Sequence, residues 1–175
     1  MTKILTYTLM GISLSMDAFS LSLSLGMMSP PKDKVKIIII LVGIFHFLMP
    51  LLGNIVGEAI QRVGNINGNR ITSLIFLSLA LQMILTIKKE EKIDLKIKAI
   101  LLLAFTVSID SLSVGLAFGL TNEKKLLASF LFMIISSSFT YMGFFLGKKL
   151  YQGLEEKATN LGILIMIGMA IKYLI

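Results

Sequence analysis

Two carboxylates stand where carboxylates are expensive. Asp17 is the single acidic residue of a long apolar run that contains SLSMDAFSLSLSLG over residues 13–26. Asp110 is the single acidic residue of another, TVSIDSLSVGLAFG over residues 106–119. An ionised carboxylate at the centre of a bilayer costs about 2.5–3.5 kcal/mol on insertion scales. Such a residue either stays protonated and hydrogen-bonds across helices, or it binds a cation or carries a proton. Two carboxylates brought close cannot both stay ionised unless a cation sits between them. A pair of this kind suits the exchange of a metal ion for protons.

Hydroxyl groups accompany both carboxylates. Ser13 and Ser20 lie four residues before and three after Asp17, on its helical face, and Ser24 extends that face. Thr106 and Ser113 hold the matching positions around Asp110. Alone, such residues are more often backbone-bonded or packing residues; the adjoining Asp raises them to candidate ligands. His46 is the one histidine. It shares a helical face with Pro50, Gly53 and Gly57, spaced i, i+4, i+7, i+11. The glycines of such a face serve close helix packing. Pro50 kinks its helix and frees a carbonyl. His46 is either a packed core histidine or a ligand. The candidate metal donors are therefore Asp17, Asp110, His46, Ser20, Ser113, Ser13 and Thr106. Oxygen donors suit Mg, Ca or Mn, and an imidazole tilts the set toward a transition metal such as Mn(II). The 11 methionines are scattered and read as gap-fillers.

The elements that must position these residues are membrane spans. The chain has 175 residues, 55% hydrophobic and only 15% charged, with mean hydropathy +0.87. A soluble domain carries about 25% charge. Six apolar runs approach the roughly 17–25 residues that a helical span needs: 4–28, 35–57, 71–87, 97–120, 126–147 and 158–175. Nothing remains for a soluble domain. The net charge of +7 lies in short clusters between the runs, so it marks loops rather than a nucleic-acid surface. Six Lys and Arg (Lys3, Arg62, Arg70, Lys124, Lys125, Lys172) fall on one side of this arrangement and eleven on the other. The richer side is expected to be cytoplasmic, with both termini outside. The first run is too long for a signal peptide and lacks a cleavage site. There is no cysteine and no phosphate loop, so neither thiolate chemistry nor an ATP motor is expected. An intramembrane aspartyl protease would want Tyr-Asp and Gly-x-Gly-Asp contexts. Here they are Met16-Asp17 and Ile109-Asp110.

The chain repeats itself. At an offset of 93, Ser15, Asp17, Ser20, Leu23 and Gly26 match Ser108, Asp110, Ser113, Leu116 and Gly119. At an offset of 90, His46, Pro50, Gly53 and Gly57 fall on Ser136, Thr140, Gly143 and Gly147. Each half holds three runs, and an odd number inverts the second half. The expectation is an all-α membrane protein of six transmembrane helices in two inverted three-helix repeats, about 1–88 and 95–175, forming one integral membrane domain. Secondary transporters have this architecture, with the site at the midplane between halves. The matched glycine faces serve either the interface between halves or a homodimer.

These motifs resemble a known family. Met16-Asp17-Ala18-Phe19-Ser20, continuing to Gly26-Met27, resembles the first-repeat signature of the bacterial manganese efflux pump family (MntP). Ser108-Ile109-Asp110-Ser111-Leu112-Ser113-Val114-Gly115 resembles its second. The stretch from Gly43 through His46 and Pro50 to Gly53 resembles its second-span motif. The resemblance implies a non-enzymatic transporter of the bacterial cell membrane. It implies manganese(II) as cargo, no resident cofactor, and a need for Asp17 and Asp110. Export of another divalent cation or small solute is the alternative. A sporulation membrane protein family shares the repeat, which keeps a non-transporting role open.

Overall fold

The computed structural model describes residues 2–63, 70–75, 77–78, 81, 97–121, 125–147, 163–164, 167 and 171. The described elements are all helical: α1 (Thr2–Met27), α2 (Lys32–Val63), α3 (Ile97–Thr106), α4 (Ile109–Thr121) and α5 (Lys125–Gly147). The described residues from 70 to 81 and from 163 to 171 are helical as well. Four stretches are long and apolar enough to cross a membrane: Lys3–Met27, Lys32–Arg62, Ile97–Thr121 and Leu126–Gly147. The expected runs 71–87 and 158–175 lie largely outside the described residues, as do most of the connections between runs.

Hydropathy placed the apolar middle of α2 but not its ends. The run 35–57 was bounded by a polar connection beginning at Glu58. The helix instead begins at Lys32 and continues through Glu58 and Arg62 to Val63. Residues such as Glu, Ala, Gln and Arg favour helix, so leaving the apolar run does not end it. At 32 residues, α2 is about 48 Å long, more than a hydrocarbon core of roughly 30 Å requires. Its exposed stripe of Ile37, Ile40, Ile44, Leu48, Leu52 and Ile55 recurs every three or four residues. A long apolar stripe facing outward has lipid as its natural solvent.

The fourth apolar run is interrupted. The helix breaks at Val107 and Ser108, between α3 and α4. The Ser108 N–H reaches the Phe105 carbonyl at 3.1 Å, and the Ser111 N–H reaches the Ser108 carbonyl at 3.2 Å. Both are i→i−3 bonds, the tight geometry found at helix ends. The hydroxyls of Thr106 and Ser108 donate back to the carbonyls of Leu102 and Ala104, both at 2.8 Å. Back-bonding of this kind bends helices, and the β-branched pair Thr106-Val107 stiffens the turn further.

Glycines set the closest approaches. A Cβ on Gly57 would stand 2.9 Å from the Gly119 Cα, and one on Gly147 would stand 2.9 Å from the Gly26 Cα. No side chain fits there, so α2 lies backbone to backbone on α4, and α5 on α1. Along each pair the contacts advance in the same direction. Gly53 meets Leu112 and Leu116, while Gly57 meets Leu116 and Gly119. Gly143 meets Phe19 and Ser22, while Gly147 meets Leu23 and Gly26. Both pairs are therefore parallel. Because α2 and α4 are parallel, their last residues, Val63 and Thr121, lie toward the same end of the bundle. Two apolar clusters fill the rest. Tyr7, Met10, Leu14, Val114, Phe118 and Phe132 form one, and Leu25, Ile38, Val42, Ile100 and Phe144 belong to the other.

Candidate functional site

The site forms where α1 and α4 cross. They run antiparallel: the Tyr7 ring, near the start of α1, packs 5.6 Å from the Phe118 ring, near the end of α4. Asp17, in mid-α1, and Asp110, at the start of α4, lie side chain beside side chain. Two carboxylates this close cannot both stay ionised unless a cation sits between them. Each of them lies near the middle of its apolar stretch. Asp110 is in the first turn of α4 and buried, at 7% exposure. Asp17 is in an unbroken helix and partly accessible. Asp110 therefore sits at the positive end of the α4 dipole.

Flanking contacts occur in matched pairs. Ser15, two residues before Asp17, lies 2.8 Å from the Ser136 hydroxyl of α5. Ser108, two residues before Asp110, lies 2.8 Å from Nδ1 of His46 on α2. Ser15 and Ser108 correspond at the offset of 93, and His46 and Ser136 at the offset of 90. Both serines also donate to their own helix, Ser15 to the Gly11 carbonyl at 2.5 Å and Ser108 to that of Ala104.

The remaining candidates fall in different places. Ser13 and Ser20 are buried on α1, and Ser113 is partly buried on α4. Thr106 is exposed, and its hydroxyl is turned back to Leu102. The four-residue spacing from Asp110 presumed a continuous helix, and the break at Val107 and Ser108 changes the face that Thr106 presents. His46 is fully buried. Its Nδ1 also lies 2.9 Å from the Val42 carbonyl, and the Leu14 carbonyl lies beside the ring. A carbonyl only accepts, so Nδ1 carries the hydrogen and Nε2 the lone pair. Nε2 finds no hydrogen-bond partner among the described residues. Pro50 lacks an N–H, which leaves the His46 carbonyl without its usual donor. Among the described residues, no three of His, Asp and Glu cluster closely enough to hold a metal ion. Asp17 and Asp110 are therefore together, and His46 does not join them as a third ligand in this conformation.

Sequence reasoning passed over Ser15, Ser108 and Ser136 as functional residues. The signal was present, since each lies at a matched position of the repeat. Asn54 carried no such signal, because its counterpart is Phe144. It is nonetheless buried with Oδ1 unpartnered among the described residues.

Apolar helices crossing at a carboxylate pair define a polytopic membrane protein built to hold charge inside its spans. Comparison with known proteins agrees in kind. Residues 29–174 match the family described as "Putative manganese efflux pump". A "Putative manganese efflux pump MntP" of Bacillus licheniformis is 35% identical over 176 residues, covering 99% of this chain and 95% of that protein. One of Bacillus pumilus is 34% identical over 175 residues, covering 98% and 95%. One of Methanobrevibacter smithii is 33% identical over 178 residues, covering 97% of each. No solved structure matches. The chain belongs to the manganese efflux pump family, whose named members are transporters and not enzymes.

Proposed function

We propose that this chain exports Mn(II) from the cytoplasm across the cell membrane, through a midplane site built on Asp17 and Asp110. The observation that carries the reading is the meeting of these two carboxyl groups inside apolar helices. A divalent cation takes the place of their protons, with both carboxylates ionised around it. Ser20 and Ser113, each three residues on from its Asp, are the nearest hydroxyl donors by helical spacing. Hard oxygen donors fit Mn(II) and equally admit Mg or Ca, so the family supplies the choice of metal.

Six spans in two inverted halves are the architecture that fits this role. Three correspondences support it. The Ser15–Ser136 contact mirrors Ser108–His46. The Gly26–Gly147 approach mirrors Gly119–Gly57. Parallel packing of α2 on α4 calls for a further crossing between them. Rocking of the halves about the fixed pair would open the site to each side in turn. The excess of Lys and Arg in the connections supports an orientation with both termini outside.

Export of a divalent cation against an inside-negative potential costs about 4.6 kcal/mol per 100 mV, at roughly 2.3 kcal/mol per charge. Two carboxyl groups carry at most two protons. Exchange of one Mn(II) for two protons is electroneutral and removes that cost. The test is cellular manganese after a manganese load in an exporter-deficient bacterium. Wild type should lower it, and Asp17→Asn at equal membrane level should not. In inside-out vesicles, an acidic lumen should drive manganese uptake. Equal export by the Asn variant would overturn the site, and indifference to the proton gradient would overturn the antiport.

A further inference from the structure

We infer that His46 is a positioning residue: through Ser108, its Nδ1–H pins the break between α3 and α4 and so fixes where Asp110 meets Asp17. The inference rests on the proposed role of the carboxylate pair and assigns His46 a place outside the ligand set.

Ser108 is the joint of the interrupted span. Its hydroxyl donates to the Ala104 carbonyl on the α3 side at 2.8 Å. Its carbonyl accepts from the Ser111 N–H at 3.2 Å and from the Ser111 hydroxyl at 2.6 Å on the α4 side. The hydroxyl hydrogen is thus engaged, and its oxygen is left to accept from His46 Nδ1, 2.8 Å away. The same N–H is shared with the Val42 carbonyl, which anchors the ring to α2. Ser108 and His46 are each 0% exposed, so water offers no substitute for either bond. One rigid ring therefore ties α2 to a backbone turn that lacks the regular ladder. Asp110 begins two residues later.

The first half has no need of this device. Ser15 meets Ser136, a rotatable hydroxyl, and α1 is continuous there. The imidazole stands only opposite the broken helix. A ligand role for His46 would run through Nε2, whereas the pin uses Nδ1, and two substitutions separate the nitrogens. Asparagine places its amide near Nδ1 and leaves nothing at Nε2. Glutamine reaches toward the Nε2 position and leaves Nδ1 empty.

The experiment uses the full chain in lipid nanodiscs and in proteoliposomes. Hydrogen exchange of the amides at 107–111, in metal-free buffer, reads the pin without reference to transport. His46→Gln and Ser108→Ala should each speed that exchange roughly 3- to 10-fold, the worth of one ordinary hydrogen bond. His46→Asn should stay within about two-fold of wild type. Manganese transport should follow: a lower maximal rate for His46→Gln and Ser108→Ala, with half-saturating manganese unchanged, and rescue by Asn. The double variant should fall short of the sum of the two single effects, because both remove the same Ser108–His46 bond. Unchanged exchange in both Gln and Ala variants would overturn the pin. So would a raised half-saturation in His46→Asn, which marks Nε2 as a ligand. If wild type moves no manganese, the transport reading fails, and the exchange data still decide the pin.

Discussion

The two carboxylates come from nearly the same sequence and sit in different backbones. Ser13-Leu14-Ser15 precedes Asp17, and Thr106-Val107-Ser108 precedes Asp110. The first triplet continues its helix, and the second breaks it. The chemical difference is two branched side chains, each less content in a helix than its counterpart by a few tenths of a kcal/mol. Ser15 and Ser108 both bond back to the carbonyl four residues earlier. Back-bonding alone therefore does not break the helix; the β-branched pair Thr106-Val107 is what the second triplet adds. The consequence is electrostatic as well as geometric. Asp110 opens a half-helix whose free N–H groups and dipole favour negative charge, and Asp17, in mid-helix, has no such support. A repeat can thus supply two like groups in unlike settings. A pair that must take up and release a cation makes use of such an inequality.

The largest expected effect comes from neutralising either carboxyl. Asp110→Asn and Asp17→Asn should each reduce export at least on the order of 100-fold, since even outer-shell partners cost metal sites 10–100-fold. Radioactive or optical manganese flux in proteoliposomes measures it. If one Asn variant retained export, the partnership of the two halves would be broken at its centre. Next are the glycine crossings. Gly57→Leu and Gly147→Leu each force a side chain against a facing backbone at 2.9 Å or closer. Each should destabilise by about 1–3 kcal/mol or more. Thermal unfolding in detergent should show similar losses for both and little change for the lipid-facing Ile44→Leu. A large loss at one crossing alone would show that the halves are not equivalent there. A subtler change copies the first half into the second. Thr106→Ser with Val107→Leu should favour a continuous helix, draw Asp110 from its terminus and slow export several-fold. Unaltered hydrogen exchange at 107–111 would show that the break has another cause.

Much of this was legible in the residues. The apolar runs announced α1 and α5 to within two residues of their observed bounds. The paired Asp residues announced their meeting, because a carboxylate in an apolar span needs a partner. The repeat announced which glycines correspond, but not which of them face each other. Two features were not legible. Hydropathy is blind to where a helix ends once it leaves lipid, so the last turns of α2 were missed. It is equally blind to a break inside an apolar run, where every residue around Val107 is membrane-compatible. The partners of Ser15 and Ser108 were hidden for another reason. Pairing between helices depends on their relative rotation, which no spacing within one helix contains.

The smallest effect tests the finest point of the comparison. Ser13 and Thr106 hold equivalent positions in the repeat, yet Ser13 is buried on α1 and Thr106 is exposed. The Thr106 hydroxyl spends its hydrogen on the Leu102 carbonyl of its own helix. Thr106→Val preserves the branched shape and removes only that bond. An exposed back-bonded hydroxyl contributes little, and the free carbonyl still has its backbone donor, so stability should change by less than about 0.5 kcal/mol. Manganese export should stay within about two-fold. Ser13→Ala removes a buried hydroxyl one turn from Asp17 and should cost more, about 1 kcal/mol. The two variants, measured side by side for flux and unfolding, weigh the helix break directly. Equal effects would mean that Thr106 reaches the carboxylates after all, in a conformation where α3 and α4 run straight.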